Sequence, residues 1–233
     1  VSTSRADATV AATADSNTLT QRAIALLRED ARVILGITGS PGAGKTTIAR
    51  RLVDTIHAAV GGSANEPVAV YLPMDGYHLA NSTLDRLGNH DRKGAIDTFD
   101  GWGFVALLRR VLSETDHTVY APSFDRRVDE GIAGEIAIPA SARIVVTEGS
   151  YLLIDQAPWS GIRDLLVEAW FCETPEDERL RRLVDRHKRH GRSPDAAEAW
   201  ATTVDGSNAV LIEPSRSRAD LIISGTSSVV CNE

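Results

Sequence analysis

The 233 residues carry 25 Lys and Arg against 32 Asp and Glu, a formal charge of −7, with 42% apolar and 24% charged residues. These are globular values, enough for one α/β core with a lid rather than two independent units. The spread of negative charge argues against nucleic acid as a partner, and no apolar run of about twenty residues offers a membrane span.

Residues 1–16 are rich in Ala, Ser, Thr and Asp without a helical or strand period and read as a loose tail, which leaves 17–233 as one domain. A helix is predicted from Leu19 to Asp30, with Leu19, Ala23, Ile24, Leu26 and Leu27 clustered on one side. Val33, Ile34, Leu35 and Ile37 then form a short apolar run, predicted to be a buried strand.

Directly after it, Gly39 to Thr46 reads G-S-P-G-A-G-K-T, a complete phosphate loop in the strand-to-helix context that such a motif requires. Its glycines let consecutive backbone N–H groups turn onto a polyphosphate, and the next helix adds the positive end of its dipole. Gly39, Ser40, Pro41, Gly42, Ala43, Gly44, Lys45, Thr46 and Thr47 are therefore the expected nucleotide-binding residues. Lys45 is placed to reach the β- and γ-phosphates and the Thr46 hydroxyl to complete a Mg²⁺ shell, while Ser40, Pro41 and Thr47 shape the loop.

The loop's helix continues through Ile48, Leu52, Val53 and Ile56 and stops near Gly61-Gly62. Val68 to Leu72 is the second predicted strand. Asp75, just beyond it in L-P-M-D-G-Y-H, is placed to take a proton from an attacking hydroxyl, or to brace its own turn; Gly76 is expected to leave room for a substrate. Residues 75–100 are polar and aromatic and read as an acceptor-side insertion. A helix over Trp102 to Leu112 and strands at Arg143 to Thr147, Val167 to Phe171 and Ala219 to Ile223 follow. The alternation predicts a mainly parallel sheet with helices on both faces.

Glu148 stands at the end of Arg143 to Thr147, where a carboxylate can hold Mg²⁺ or cap the next helix. Thr174-Pro175-Glu176-Asp177 reads as a helix start with a hydroxyl cap, and the helix runs into a basic stretch that ends at Gly191. Arg182, Arg186 and Arg189 sit about one turn apart there, either as a lid over phosphates, at about 179–195, or as a solvated face. His187 and His190 are expected at the surface, since the cations around them would repel a metal. Cys172 and Cys231 lack metal-type spacing; with no signal-peptide pattern, a reduced, cytoplasmic setting is expected.

Taken together, the phosphate loop, M-D-G-Y-H (74–78), R-K-G-A-I-D-T-F-D (92–100), P-S-F-D-R (122–126), V-T-E-G-S-Y-L-L (146–153), T-P-E-D with Arg186 downstream, and N-A-V-L-I-E-P-S-R-S-R-A-D-L-I-I (208–223) resemble the phosphoribulokinase, uridine kinase and bacterial pantothenate kinase family. The resemblance implies a three-layer P-loop NTPase fold with a helical lid, and ATP- and Mg²⁺-dependent phosphorylation of a hydroxyl on a small polar metabolite. It implies Asp75 as catalytic aspartate beside Lys45, and Arg186 as the phosphate-contacting lid arginine, with Arg182 its neighbour on the basic helix. It implies acceptor contacts at Asp75, Tyr77, His78, Arg92, Lys93, Phe99, Phe124, Arg126 and Asn208. The chain lacks the Y-S-H histidine of pantothenate kinases, with Ala121 and Pro122 in that stretch, and has D-G-Y-H where nucleoside kinases have D-S-F-Y. The acceptor thus stays open among pantothenate-, nucleoside- and sugar-like compounds, and a homodimer is compatible with the chain. A P-loop GTPase switch or chaperone is the alternative, although the guanine-reading N-K-x-D is missing from the sequence.

Overall fold

The computed structural model describes residues 9–10, 16–61, 63 and 66–226. In chain order the elements are β1 (Thr9–Val10), α1 (Ser16–Ala25), β2 (Val33–Thr38), α2 (Lys45–Val60), β3 (Ala69–Pro73), α3 (Asn81–Leu87), α4 (Gly101–Ser113), β4 (Val119–Asp125), β5 (Glu130–Ile138), β6 (Ile144–Glu148) and β7 (Glu168–Glu173). There follow α5 (Glu176–Arg189), α6 (Pro194–Trp200), a π-helical turn at Ala201–Asp205, α7 (Gly206–Ile212) and β8 (Leu221–Ser224).

The main sheet has the order β1-β8-β7-β2-β6-β3, with every pairing parallel. Its central strands read as unbroken apolar runs because both faces are covered, and all six residues of β2 are buried. Alternation still sorts the side chains. Val33, Leu35 and Ile37 join Ile144, Val146 and Trp170 against Leu19 and Ala23 of α1 and Leu52 and Ile56 of α2. Ile34, Val145, Phe171 and Ile222 point the other way, onto Phe104, Leu108 and Val111 of α4. This is the predicted three-layer α/β arrangement.

Boundaries shift in physically readable ways. The first helix ends at Ala25, short of Asp30, and α2 ends where Gly61 takes φ 79° and donates its N–H to His57 O. The expected loose tail lies mostly outside the described residues. Within it, Thr9 and Val10 pair with Leu221 and Ile222 as an edge strand, and Ser16 already begins α1. The expected hydroxyl cap of α5 is absent: Pro175 holds the cap position, and the Thr174 hydroxyl donates instead to Ala43 O at 2.9 Å.

Strands β4 and β5 form a separate antiparallel hairpin with an irregularity between Ala121 and Ser123. It packs over the 3-10 turn Met74–Tyr77 that follows β3. A Cβ on Gly76 would lie 2.2 Å from Pro122 O, so this glycine admits the β4 backbone and not, as expected, a substrate. No helix among the described residues is long and apolar enough to cross a membrane.

Candidate active site

Sheet register builds the site. Ile37 of β2 and Pro73 of β3 both stand opposite Glu148, the last residue of β6. The phosphate loop after β2, the Glu148 carboxylate and Asp75 after β3 therefore emerge side by side at the carboxyl end of the sheet, where open α/β sheets take their ligands.

The loop is braced from behind. Ala43 O accepts from the Thr174 hydroxyl and, at 3.0 Å, from the Cys172 thiol, while the Ser40 hydroxyl donates to the Glu213 carboxylate. Gly42, at φ 79°, lies so near α5 that a Cβ would sit 2.8 Å from Arg179 O. Inside the loop, buried Lys45 donates from Nζ to Gly39 O at 2.8 Å and Ser40 O at 3.0 Å. Burial pushes its pKa down, and the negative charge of Glu148 opposes that shift. A desolvated ammonium held only by two neutral carbonyls matches a polyanion, and α2 begins at that lysine.

Glu148 Oε1 accepts from the Thr46 hydroxyl at 3.0 Å and from the Tyr71 hydroxyl at 2.7 Å. Burial, and then the charge of Asp75, raise the Glu148 pKa; Lys45 and the two hydroxyls counteract this. Burial beside Glu148 likewise raises the Tyr71 phenol. A hydroxyl and a carboxylate set together are hard oxygen donors, and they fit a Mg²⁺ ion that shares its shell with phosphate oxygens and water. Thr46 and Glu148 would hold that ion, with Tyr71 orienting the carboxylate.

Asp75 stands on the other side of Glu148, with Oδ2 2.9 Å from Arg126 Nη2. Burial pushes its pKa up, but the positive charges of His78, Arg126, Lys45 and Arg186 outweigh this and hold it below the usual carboxylate value. The pair thus splits: Asp75 ionises early and Glu148 late, as expected of two neighbouring carboxylates that repel each other. His78 is pushed down by burial, and its Nδ1 lies 2.7 Å from Asp75 O, which fixes the proton on that nitrogen. The imidazole packs against Phe99 at 4.0 Å and Phe124 at 4.5 Å between ring centres.

A cavity of about 1440 Å³ joins these groups; Pro41, Gly42, Gly44, Lys45, Thr46, Thr47, Asp75, His78, Lys93, Phe99, Phe124, Arg126, Glu148, Arg182, Arg186 and Asn208 line it. Gly39, Ser40 and Ala43, buried members of the loop, lie outside that lining. Two expected acceptor contacts are not brought in. Tyr77 packs into the core, its ring 5.3 Å from that of Phe104, and exposed Arg92 pairs with Asp97 away from the cavity. Lys93 reaches the cavity but spends its ammonium on Asn81 Oδ1 at 2.6 Å and Asp129 Oδ2 at 3.0 Å. Asn208 donates to Gly94 O at 3.0 Å, beside the Tyr151 hydroxyl at 2.7 Å, and so shapes the wall through that carbonyl.

On α5, Arg182 bonds Glu178 at 2.7 Å and Gly225 O at 3.1 Å, while Arg186, lowered in pKa by burial, faces Asp205 at 3.9 Å. His187 is not the surface group expected of it: its Nε2 lies 2.8 Å from buried Asp205 Oδ2. His190 is exposed. Sequence reasoning passed over Tyr71, Asp205 and Glu213. Tyr71 could have been found by its strand position, since in the sheet it is the residue two before Pro73, but the other two carry no local signal.

Comparison with known proteins gives the chain's relatives. The chain is 30% identical over 211 residues to the "Putative uridine kinase C227.14" of Schizosaccharomyces pombe, spanning 88% of each. It is 31% identical over 196 residues to the Escherichia coli protein YggC, covering 84% of this chain and 78% of that one. A solved structure from Silicibacter sp. TM1040, described as a "putative fructose transport system kinase", superposes with a TM-score of 0.80 at 34% identity, covering 90% of this chain and 98% of that one. Residues 34–231 match the profile of the "Phosphoribulokinase / Uridine kinase family". With its phosphate loop, strand-end glutamate and neighbouring aspartate drawn to one cavity, the chain belongs to the phosphoribulokinase/uridine kinase family.

Proposed function

We propose that the protein transfers the γ-phosphoryl group of ATP to a hydroxyl of a small polar metabolite. The observation that carries this reading is the convergence of Lys45, Glu148 and Asp75 on one cavity, fixed by the register of β2, β6 and β3. The names of the relatives bring two acceptor classes to the chain, nucleoside and sugar.

Lys45 and the loop's N–H groups hold the triphosphate, and Arg182 and Arg186 on α5, acting as a lid, face the charge that spreads over the transferred group. Mg²⁺, when bound at Thr46 and Glu148, neutralises phosphate charge. Asp75 accepts the hydroxyl proton as the acceptor oxygen bonds to phosphorus and the bond to the bridging oxygen of ADP breaks. The cations around it favour its ionised form. Closure excludes water, which suppresses hydrolysis of ATP. A reduced, cytoplasmic setting suits the buried free thiol of Cys172.

The test is ADP release from ATP and Mg²⁺ over a panel of pantothenate, nucleosides, sugars and sugar phosphates, with Asp75→Asn as the blank. Acceptor-dependent ADP release that is lost in the variant supports the reading. Hydrolysis of GTP or ATP that ignores every acceptor points instead to a nucleotide switch.

A further inference from the structure

Arg126 lies at the end of the β4–β5 hairpin and is half-exposed, yet its hydrogen bond goes to the carboxylate that has to receive the acceptor's proton. The other cations of that wall are already satisfied. Lys93 is held by Asn81 and Asp129, and Arg127 is paired with Asp125. The cavity as a whole is lined by nine lysines and arginines against five carboxylates, although the chain is net acidic. Lys45, Arg182 and Arg186 belong to the phosphate loop and α5, whereas Arg126 comes from the hairpin.

This arrangement constrains the acceptor. A neutral hydroxyl would have to displace a charge-assisted ion pair from Asp75 and leave the half-exposed guanidinium to water, with nothing of its own to offer it. An acceptor with its own acidic group supplies that partner. The aromatic surface gives a second constraint. A flat base needs a free ring face, but the His78 imidazole already occupies Phe99 and Phe124, and Phe99 also packs edge-on against Tyr151 and Trp159.

We propose that the acceptor is a non-aromatic hydroxy compound bearing a carboxylate or phosphate, and that Arg126 is the residue that reads this acidic group; the inference rests on the kinase reading above. Arg126 leaves Asp75 Oδ2 for the acidic group. The freed carboxylate oxygen takes the hydroxyl proton while the acceptor oxygen bonds to the γ-phosphorus and ADP departs. Arg126 is thus both a specificity determinant and a cover that keeps Asp75 occupied until the right compound arrives.

The experiment measures ADP release by the full chain with Mg·ATP and matched probes: glycerol against glycerol 3-phosphate and against glycerate, ribose against ribose 5-phosphate, and uridine. The expected result is a kcat/KM at least about tenfold higher for the acidic member of a pair, the worth of one charge-assisted hydrogen bond. The glycerate and glycerol 3-phosphate arms tell carboxylate from phosphate. Arg126→Ala is expected to shrink the acidic-to-neutral gap to less than about threefold by raising KM, and Arg126→Lys to restore part of it. Thermal shifts with the same probes, read in Asp75→Asn, report binding without turnover, and the acidic members are expected to stabilise that variant most. Preference for uridine or for the neutral probes, or a gap that survives Arg126→Ala, overturns the inference and leaves the kinase reading standing. ATP hydrolysis indifferent to all probes, with no acidic probe raising the melting temperature, overturns both.

Discussion

Thr46 and Glu148 are 102 residues apart in the chain, yet the threonine Oγ1 lies 3.0 Å from the glutamate Oε1. Hydroxyl and carboxylate point at one spot beside the phosphate loop. Thr46→Val and Glu148→Gln each remove one oxygen ligand or its charge. Both are expected to raise the Mg²⁺ concentration for half-maximal activity by about 10- to 100-fold, and metal titrations of ADP release check this. Unchanged Mg²⁺ dependence in both variants removes the pair from the metal site.

Glu148 also carries a stability signature. Its folded pKa is raised, so the unfolded chain gives up this proton at lower pH than the folded protein does. The folded state is therefore favoured while the group is protonated, and that advantage disappears as pH rises through the unfolded and then the folded value. At neutral pH, above the unfolded value, that advantage is reduced or gone. Glu148→Gln keeps the acceptor oxygen for Thr46 and Tyr71 and is expected to raise the melting temperature at pH 7 without metal, by about 2–4 °C per kcal/mol recovered. The gain shrinks as pH is lowered toward the acid side; a lower melting temperature at pH 7 contradicts the argument.

On the proposed reading, the same ionisation is expected to set the acid limb of activity. Glu148 takes up a proton before Asp75 as pH falls, because one pKa is raised and the other depressed. A metal competes with that proton. The acid limb of kcat/KM is expected to move to lower pH as Mg²⁺ is raised, and pH profiles at two metal concentrations read it out. A limb that stays in place assigns it to another group.

Asp75→Asn keeps shape and hydrogen bonding but cannot accept a proton. Turnover is expected to fall by about 10²- to 10⁴-fold, with ATP affinity changed less than about threefold since the phosphates are held elsewhere. Single-turnover kinetics with equilibrium nucleotide binding separate the two effects. Normal turnover takes Asp75 out of the chemistry.

Gly76→Ala tests the seat of the hairpin. The added methyl would meet Pro122 O at 2.2 Å, a backbone atom that cannot rotate away. The cost is expected at about 1–3 kcal/mol, and β4 must shift relative to Asp75, so turnover falls as well. Denaturant melts and kinetics on the one variant check both; an unchanged midpoint shows that the hairpin yields freely.

The legible parts of the site are those whose signal is local. G-S-P-G-A-G-K-T follows a buried strand, Asp75 follows another by two residues and Glu148 ends the strand between them, so their convergence follows from the parallel pairing of those strands. The β4–β5 hairpin left no such trace. Its irregularity between Ala121 and Ser123 breaks the period of two, and although Ile132, Ile136 and Ile138 share one face of β5, Gly131 and Gly134 interrupt the run and most of the strand is exposed. The stretch from Pro194 to Ile212 hid for another reason. Its helical run passes through a π-helical turn with Gly206 just after it, and the changed period carries Asp205 round to His187. Tyr77 and Arg92 were misplaced by sequence neighbourhood: the 3-10 turn at Met74–Tyr77 sends Tyr77 inward, and Arg92 closes on its local partner Asp97.

The Ala43 carbonyl, gripped by both Cys172 and Thr174, makes the phosphate loop and the foot of α5 one mechanical unit. The helix then works as a beam clamped at its acidic foot, with its basic tip about 20 Å away at 1.5 Å per residue. On the proposed reading of Arg182 and Arg186 as a lid, a tilt of a few degrees started where the loop is filled is expected to carry the arginines by about an ångström over that length.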